Sequence, residues 1–369
     1  MCIRDRVRQC HSNTCPVGVC TQDEKLREKF GGTPEKVVNL FSFIAEEVRE
    51  ILASLGYKSL KDIIGKTELL SQIHYGSSDL DNLDLNPILT KIDDGKIYDY
   101  HSPKKRNEVP KTLDDQFEKD GKDFINSGQK IELTYNIQNT LRTIGTKISS
   151  IITRKYGMNT LSEDHVTLKL RGSAGQSLGA FAVKGLTLKV FGDANDYVGK
   201  GMNGGRIIIK NDSDFAINDN KTILAGNTCL YGATGGKVFI SGSVGERFAV
   251  RNSGAKAVIE GSGDHCCEYM TGGHITVLGS VGSNFAAGMT GGFAYILDED
   301  RSFFDKCNRG LVGLERITTE EMQPHRKHLK EIIREHYNYT NSKKAKDIFD
   351  DFDRYDPNFW LVVPRASNI

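Results

Sequence analysis

From Val37 to Leu55 the apolar residues Val37, Phe41, Ile44, Val48, Ile51 and Leu55 recur at steps of three and four. That spacing places them on one stripe of a helix. Thr33 suits the N-cap, Pro34 the first helical position, and Gly56 the left-handed stop. Such a helix needs a partner surface. The short stretch before it cannot supply one, so the pattern implies upstream sequence. Residues 57–127 are polar and poorly periodic, apart from a short helix predicted over Leu60–Ile64 behind Ser59. Charge dominates Lys104 to Gly128, which reads as an exposed connector. Ile131, Leu133, Tyr135 and Ile137 alternate with polar residues and predict a strand. Leu141 to Tyr156 predicts a helix with Ile144, Ile148, Ile151 and Ile152 inward, ended by Gly157.

Beyond Arg171 the pattern becomes a repeat. Gly172-Ser173-Ala174-Gly175, Gly192-Asp193-Ala194-Asn195, Gly242-Ser243-Val244-Gly245 and Gly279-Ser280-Val281-Gly282 share one form. Short apolar strands follow: Leu186–Val190, Arg206–Ile209, Lys237–Ile240, Ala257–Ile259, His274–Leu278 and Phe293–Leu297. Paired glycines precede four of them, at Gly204-Gly205, Gly235-Gly236, Gly272-Gly273 and Gly291-Gly292. The unit length is roughly 19 residues, within the range of solenoid repeats, with an insertion near Asn211–Lys221. Strands this short cannot each bury a face alone. Stacking coil on coil gives every backbone group a ladder partner, and glycine serves positive-φ turns or close approach of coils. A parallel β-helix follows, with an antiparallel sandwich as the competitor. After Asp300 the glycine pattern stops. Leu329, Ile332, Ile333 and His336 suit one helix, and Ala345, Ile348, Phe349 and Phe352 another. Trp360–Pro364 reads as a last extended segment, and the tail is expected to cover one end of the solenoid.

Composition narrows the function. In 369 residues, 49 basic and 48 acidic side chains leave a formal charge of +1, which argues against nucleic acid or membrane surface as partner. No apolar run approaches the roughly 20 residues of a bilayer span, and no signal-peptide segment opens the chain, so a cytoplasmic location is expected. Four of eight cysteines, Cys2, Cys10, Cys15 and Cys20, crowd the front, which suggests metal or iron–sulfur chemistry. Zinc is the weaker reading, because Cys10, Cys15 and Cys20 lack close pairs.

The run Val7-Arg8-Gln9-Cys10-His11-Ser12-Asn13-Thr14-Cys15-Pro16-Val17-Gly18-Val19-Cys20 closely resembles the [3Fe–4S] loop of the glutamate synthase large-subunit family. Gly172–Ser177 and Gly192–Gly201 resemble that family's C-terminal domain, and all three segments stand in family order. The resemblance maps two cluster ligands, and hence the metal-site assignment, onto Cys10 and Cys15. The family's first ligand falls at Arg4, whose guanidinium cannot replace a thiolate. Residues before Val7 are therefore read as a non-native start, and no cluster is expected to be held stably. Asn139-Thr140-Leu141-Arg142 is similar to a family run that has aspartate where Leu141 stands.

The resemblance implies a mainly β fold, a right-handed parallel β-helix with an N-terminal remnant of a β/α barrel and flanking helices. The implied division is 1–56 barrel remnant with cluster loop, 57–127 connector, 128–300 β-helix and 301–369 helical cap. In the intact enzyme an amidotransferase releases ammonia from glutamine. A barrel holding FMN then reduces 2-iminoglutarate, formed from 2-oxoglutarate, to glutamate. Electrons come from NADPH through a small FAD-containing subunit. The remainder of the large subunit and that small subunit are the implied partners. The amidotransferase and most of the barrel are absent from these residues, so no catalytic or flavin-binding residue is assigned and the chain is expected to be an inactive scaffold. The competing functions are a stand-alone β-helix assembly subunit like that of formylmethanofuran dehydrogenases, and a small iron–sulfur electron carrier.

Weaker candidates have bland readings beside them. Cys266 and Cys267 are adjacent and read as core thiols. His265 and His274 flank them without ligand spacing, while His325 and His328, three apart, could chelate a metal or lie on a solvated face. Asp193, Asn195 and Asp196 resemble a calcium-loop fragment but suit turn-stabilising bonds better. Gly199-Lys200-Gly201 lacks the frame of a phosphate loop.

Overall fold

The computed structural model describes residues 15–19, 21, 23–91, 110–211 and 222–365. Contacts divide the chain into two compact units, residues 31–109 and the remainder. In the leading segment of the larger unit, Glu24–Arg27 (α1) forms a single turn, capped by Asp23 through Leu26 N–H at 2.9 Å.

The smaller unit begins with Pro34–Ser54 (α2), as its periodicity predicts. Thr33 Oγ1 accepts from Lys36 N–H at 3.3 Å, and Gly56 turns the chain at φ +77°. Leu52 alone on this helix is buried, whereas Phe41 stays 65% exposed. Leu60–Asp62 is one 3₁₀ turn rather than an α-helix to Ile64, with Ser59 N–H donating to Asp62 at 3.0 Å. A further short helix, Asn86–Leu89 (α3), follows.

The larger unit resumes with Leu113–Asp120 (α4) and Lys122–Ser127 (α5). These correct the exposed-connector expectation for this stretch, since Phe117 and Phe124 are fully buried in the main core. Charge hid them, because only two large apolar anchors face inward. Ile131–Ile137 (β1) and Thr146–Tyr156 (α6) come next, with Ile144, Ile148 and Ile152 buried. Gly145 heads α6 without a cap of its own. Asp114 supplies it from a distance, accepting from Gly145 N–H at 2.8 Å and Lys147 N–H at 2.8 Å.

The repeat forms Val166–Ala174 (β2), Leu186–Ala194 (β3), Asn203–Lys210 (β4), Ile223–Ala225 (β5), Gly235–Ile240 (β6) and Ser243–Val244 (β7). It continues with Ser253–Ile259 (β8), Gly261–Ser262 (β9), Thr271–Val277 (β10) and Gly291–Leu297 (β11). Strands β1, β2, β3, β4, β6, β8, β10 and β11 pair in that order, all parallel. A narrower parallel ladder runs from the end of β3 through β5 and β7 to β9. This is a β-solenoid of about six turns. Residues 212–221 of the insertion lie outside the described residues.

Register explains the core. Leu168, Leu188, Ile207, Val238, Ala257, Ile275 and Ala294 face one another from coil to coil, and all are buried. Strand β2 escaped the sequence pattern because no glycine stands close before it, as Gly185 and Gly254 do before the two other strands that lack a pair. At Gly254 a Cβ would collide with the Thr234 carbonyl of the coil beside it, so close approach requires glycine there. Many corners turn without glycine. Arg247, Ala249 and Arg251 have φ of 59°, 60° and 54°. Such left-handed residues cost roughly 1–2 kcal/mol each. Bonds between coils offset this, with Arg247 N–H reaching Asp264 O at 2.8 Å and Ala249 N–H reaching Cys229 O at 2.8 Å.

The tail contains Phe303–Lys306 (α7), Val312–Arg316 (β12), Gln323–Thr340 (α8), Lys343–Asp350 (α9), Phe352–Tyr355 (α10) and Phe359–Pro364 (β13). Strand β13 pairs antiparallel with β11, and β12 with β13, so strands rather than helices extend the edge of the last coil. The helices instead lie along the sheet's outer face. Leu329, Ile332, Ile333, Ala345 and Ile348 pack there on Ile208, Phe239, Val258 and Tyr295.

Candidate functional site

The cysteine loop is the first candidate. Cys10 and Cys20 lie outside the described residues. Cys15 is buried, and its carbonyl accepts from Gly18 N–H at 3.1 Å. Gly18 has φ +81°, and a Cβ there would strike the Leu26 carbonyl, so this turn is seated on α1. Among the described residues no three His, Cys, Asp or Glu side chains group to hold a metal ion. Cys15 by itself does not fit the thiolate set of an iron–sulfur centre.

Cys266 and Cys267 are core thiols, as expected, but they occupy a corner instead of a strand. Cys267 has φ +60°, which brings the two Sγ atoms to 3.8 Å. Burial, with Cys266 alongside, pushes the Cys267 thiol well up, and burial, with Asp196 assisting, pushes Cys229 up to about 12. Such thiols are poor nucleophiles. His265 shares a hydrogen bond with Asn284 at 3.0 Å. Asp196 accepts from Asn227 N–H at 2.8 Å, a bond to the next coil instead of its own turn. Gly199, Lys200 and Gly201 form a corner, with Lys200 Nζ 5.4 Å from the Tyr197 ring centre.

His325 and His328 are half-buried and turn toward the sheet. Their Nδ1 atoms lie 2.8 and 3.2 Å from the buried Tyr295 hydroxyl. His274 stacks on Phe293, with ring centres 5.3 Å apart, and meets His328 edge-on at 4.7 Å. Burial lowers the pKa of His325 and His328. It brings His274 down to about 3, assisted by His328, Lys256 and Lys237. This cluster joins α8 to the sheet.

Sequence reasoning missed the column that contains His274. Arg206 faces Lys237, Lys237 faces Lys256, and Lys256 faces His274 across successive coils. A signal was available, because Arg206, Lys237 and His274 each directly follow paired glycines.

The family comparisons agree with this architecture. The GXGXG motif family matches residues 114–365, and the conserved region in glutamate synthase matches residues 2–58. The latter match includes residues ahead of Val7, where the sequence departs from the expected ligand pattern. The glutamate synthase [NADPH] large chain of Azospirillum brasilense is 55% identical over 97% of this chain and 24% of its own length. The ferredoxin-dependent glutamate synthase 2 of Synechocystis sp. is 50% identical over 99% of this chain and 23% of its own. The Bacillus subtilis glutamate synthase [NADPH] large chain is 44% identical over 97% and 24% respectively. The chain spans about a quarter of the length of these curated relatives. It belongs to the GXGXG motif family and is similar, over nearly its whole length, to a C-terminal part of glutamate synthase large chains.

Proposed function

We propose that this chain is the scaffold-bearing part of a glutamate synthase large subunit, an oxidoreductase that makes glutamate from glutamine and 2-oxoglutarate. The observation that carries this is 55% identity to such a large chain across 97% of these residues. The relatives' names favour it over a stand-alone assembly subunit. In this reading residues 1–56 belong to the flavin-binding synthase domain, 57–127 connect and end in the two helices that join the main core, 128–300 form the solenoid and 301–369 cap it. Cys10 and Cys15 serve as ligands of a [3Fe–4S] cluster in the intact enzyme, and FMN is bound by residues outside this chain. The partners are the rest of the large subunit and an electron-donating protein. The relatives are named for both NADPH and ferredoxin. The location is cytoplasmic in a bacterium. Among the described residues no helix is long and apolar enough to cross a membrane.

The solenoid suits a scaffold physically. Its stacked columns form one continuous core, and a coil cannot shift without breaking ladder bonds to both neighbours. Deleting residues 128–300 from the complete enzyme is expected to release glutamine hydrolysis from glutamate formation. Ammonia and glutamate would be assayed together. Production at the same ratio as in the undeleted enzyme would reject the scaffold role.

A further inference from the structure

The stacked column Arg206–Lys237–Lys256 sets like charges directly opposite one another, about 4.8 Å apart at ordinary strand spacing, and the neutral ring of His274 continues it. Such pairing is unfavourable unless counter-charge is supplied. Part of it comes from the chain. Arg206 Nη1 donates to Asp164 Oδ1 at 2.7 Å and its Nη2 to Glu163 at 2.5 Å. Lys237 Nζ donates to Glu335 at 2.6 Å. No ion pair among the described residues includes Lys256. Unpartnered polar atoms remain as well, since the donor Arg206 Nε and the ring nitrogen His274 Nε2 are buried without a hydrogen-bond partner. Both side chains are more than nine-tenths buried.

This column lines open space. A groove of about 250 Å³ is bordered by Lys184, Arg206, Lys237 and Lys256 over a floor that includes Gly205 and Gly236. A smaller recess of about 120 Å³ adjoins Lys237, Lys256, His274 and His328, with Glu331 and Glu335 on its α8 side. Glu163 and Asp164, the carboxylates of the larger groove, are already paired with Arg206. Positive charge is therefore in excess there. The glycines of the floor serve the close packing of coils, since a Cβ at Gly205 or Gly236 would strike the backbone of the coil beside it.

We propose that this groove binds a small doubly charged oxyanion, either a phosphate group or a dicarboxylate, seated against Lys256 beside Arg206. The volume suits a small molecule, and lysine ammonium groups bind such oxygens through charge-assisted hydrogen bonds. The site is independent of the glutamate synthase assignment.

The test uses the full 369-residue chain. Inorganic phosphate and malonate are titrated separately by calorimetry, with sodium chloride at matched ionic strength as control. Saturable one-site uptake of phosphate, malonate or both supports the proposal, and the pattern identifies the anion source. Lys256→Gln, at an exposed position that should not disturb folding, is expected to weaken uptake on the order of tenfold. Labelled-histidine NMR supplies a positional readout, because a bound anion should raise the pKa of His274. Failure of both anions to bind overturns the proposal, as does unchanged affinity in Lys256→Gln. An acidic polypeptide that binds where neither anion does would also overturn it.

Discussion

Asp114 shows how one side chain can organise a junction that the local pattern conceals. Its carboxylate is fully buried and ties α4 to the first turn of α6 through the N–H groups of Gly145, Lys147 and Ile148. Burial pushes its carboxyl up, against the downward pull of those donors. Asp114→Ala leaves the donors without an acceptor and should lower stability by about 2 kcal/mol in urea unfolding. Asp114→Asn keeps an acceptor and should cost less, so equal losses would contradict the capping role. His274 makes a second residue-scale case. It faces Lys256 on the neighbouring strand, with Lys237 one strand further, Phe293 on the other side, and His328, Glu331 and Glu335 from α8. Its folded pKa of about 3 lies below the ordinary 6.5, so between these values the unfolded chain binds a proton that the folded chain refuses. Stability should then fall on acidification through that window, by up to about 1.4 kcal/mol per pH unit. His274→Phe should flatten this part of the pH–stability curve, and an unchanged slope would show that other groups set it.

At the scale of elements, two surfaces have opposite fates. The apolar stripe of α2 obeys helical spacing yet stays largely exposed, with Phe41 and Phe43 more than half accessible. Its spacing was legible because a helix's period is local, but among the described residues none within its own unit covers the stripe. The β11 edge, by contrast, is covered from within the chain by β13, and β13 by β12. Trp360 helps to fasten this addition, donating from Nε1 to Asp298 at 2.9 Å. A chain ending at Asn358 would leave the β11 edge unpaired. Light scattering should then show concentration-dependent association that the full chain lacks. A truncated chain that stays monodisperse would mean the edge is protected by other means.

For the whole molecule, the solenoid core is continuous while reactive groups are dispersed. Its described cysteines are buried, His265, His274, His325 and His328 are engaged with Asn284, Phe293 or Tyr295, and Asp196 bridges coils. No nucleophile–base–orienter set follows from these contacts. The isolated chain supplied with glutamine, 2-oxoglutarate and a reductant is accordingly expected to form no glutamate. Product made by the purified chain alone would refute the scaffold assignment.

The glycine spacing was enough by itself to determine the stacked strands, because the need for glycine at close coil contacts leaves a regular mark in the chain. Val166–Ala174 lacked that mark and became visible only through its pairing with β1 and β3. The helices at 113–127 likewise depended on long-range burial of Phe117 and Phe124, which a charged local composition hides. The candidate anion site was least legible. Arg206, Lys237, Lys256 and His274 are far apart along the chain, and the repulsion among the three cations exists only once strand register has set them face to face. Local periodicity writes the elements into the sequence, whereas charge meets charge only through the tertiary fold.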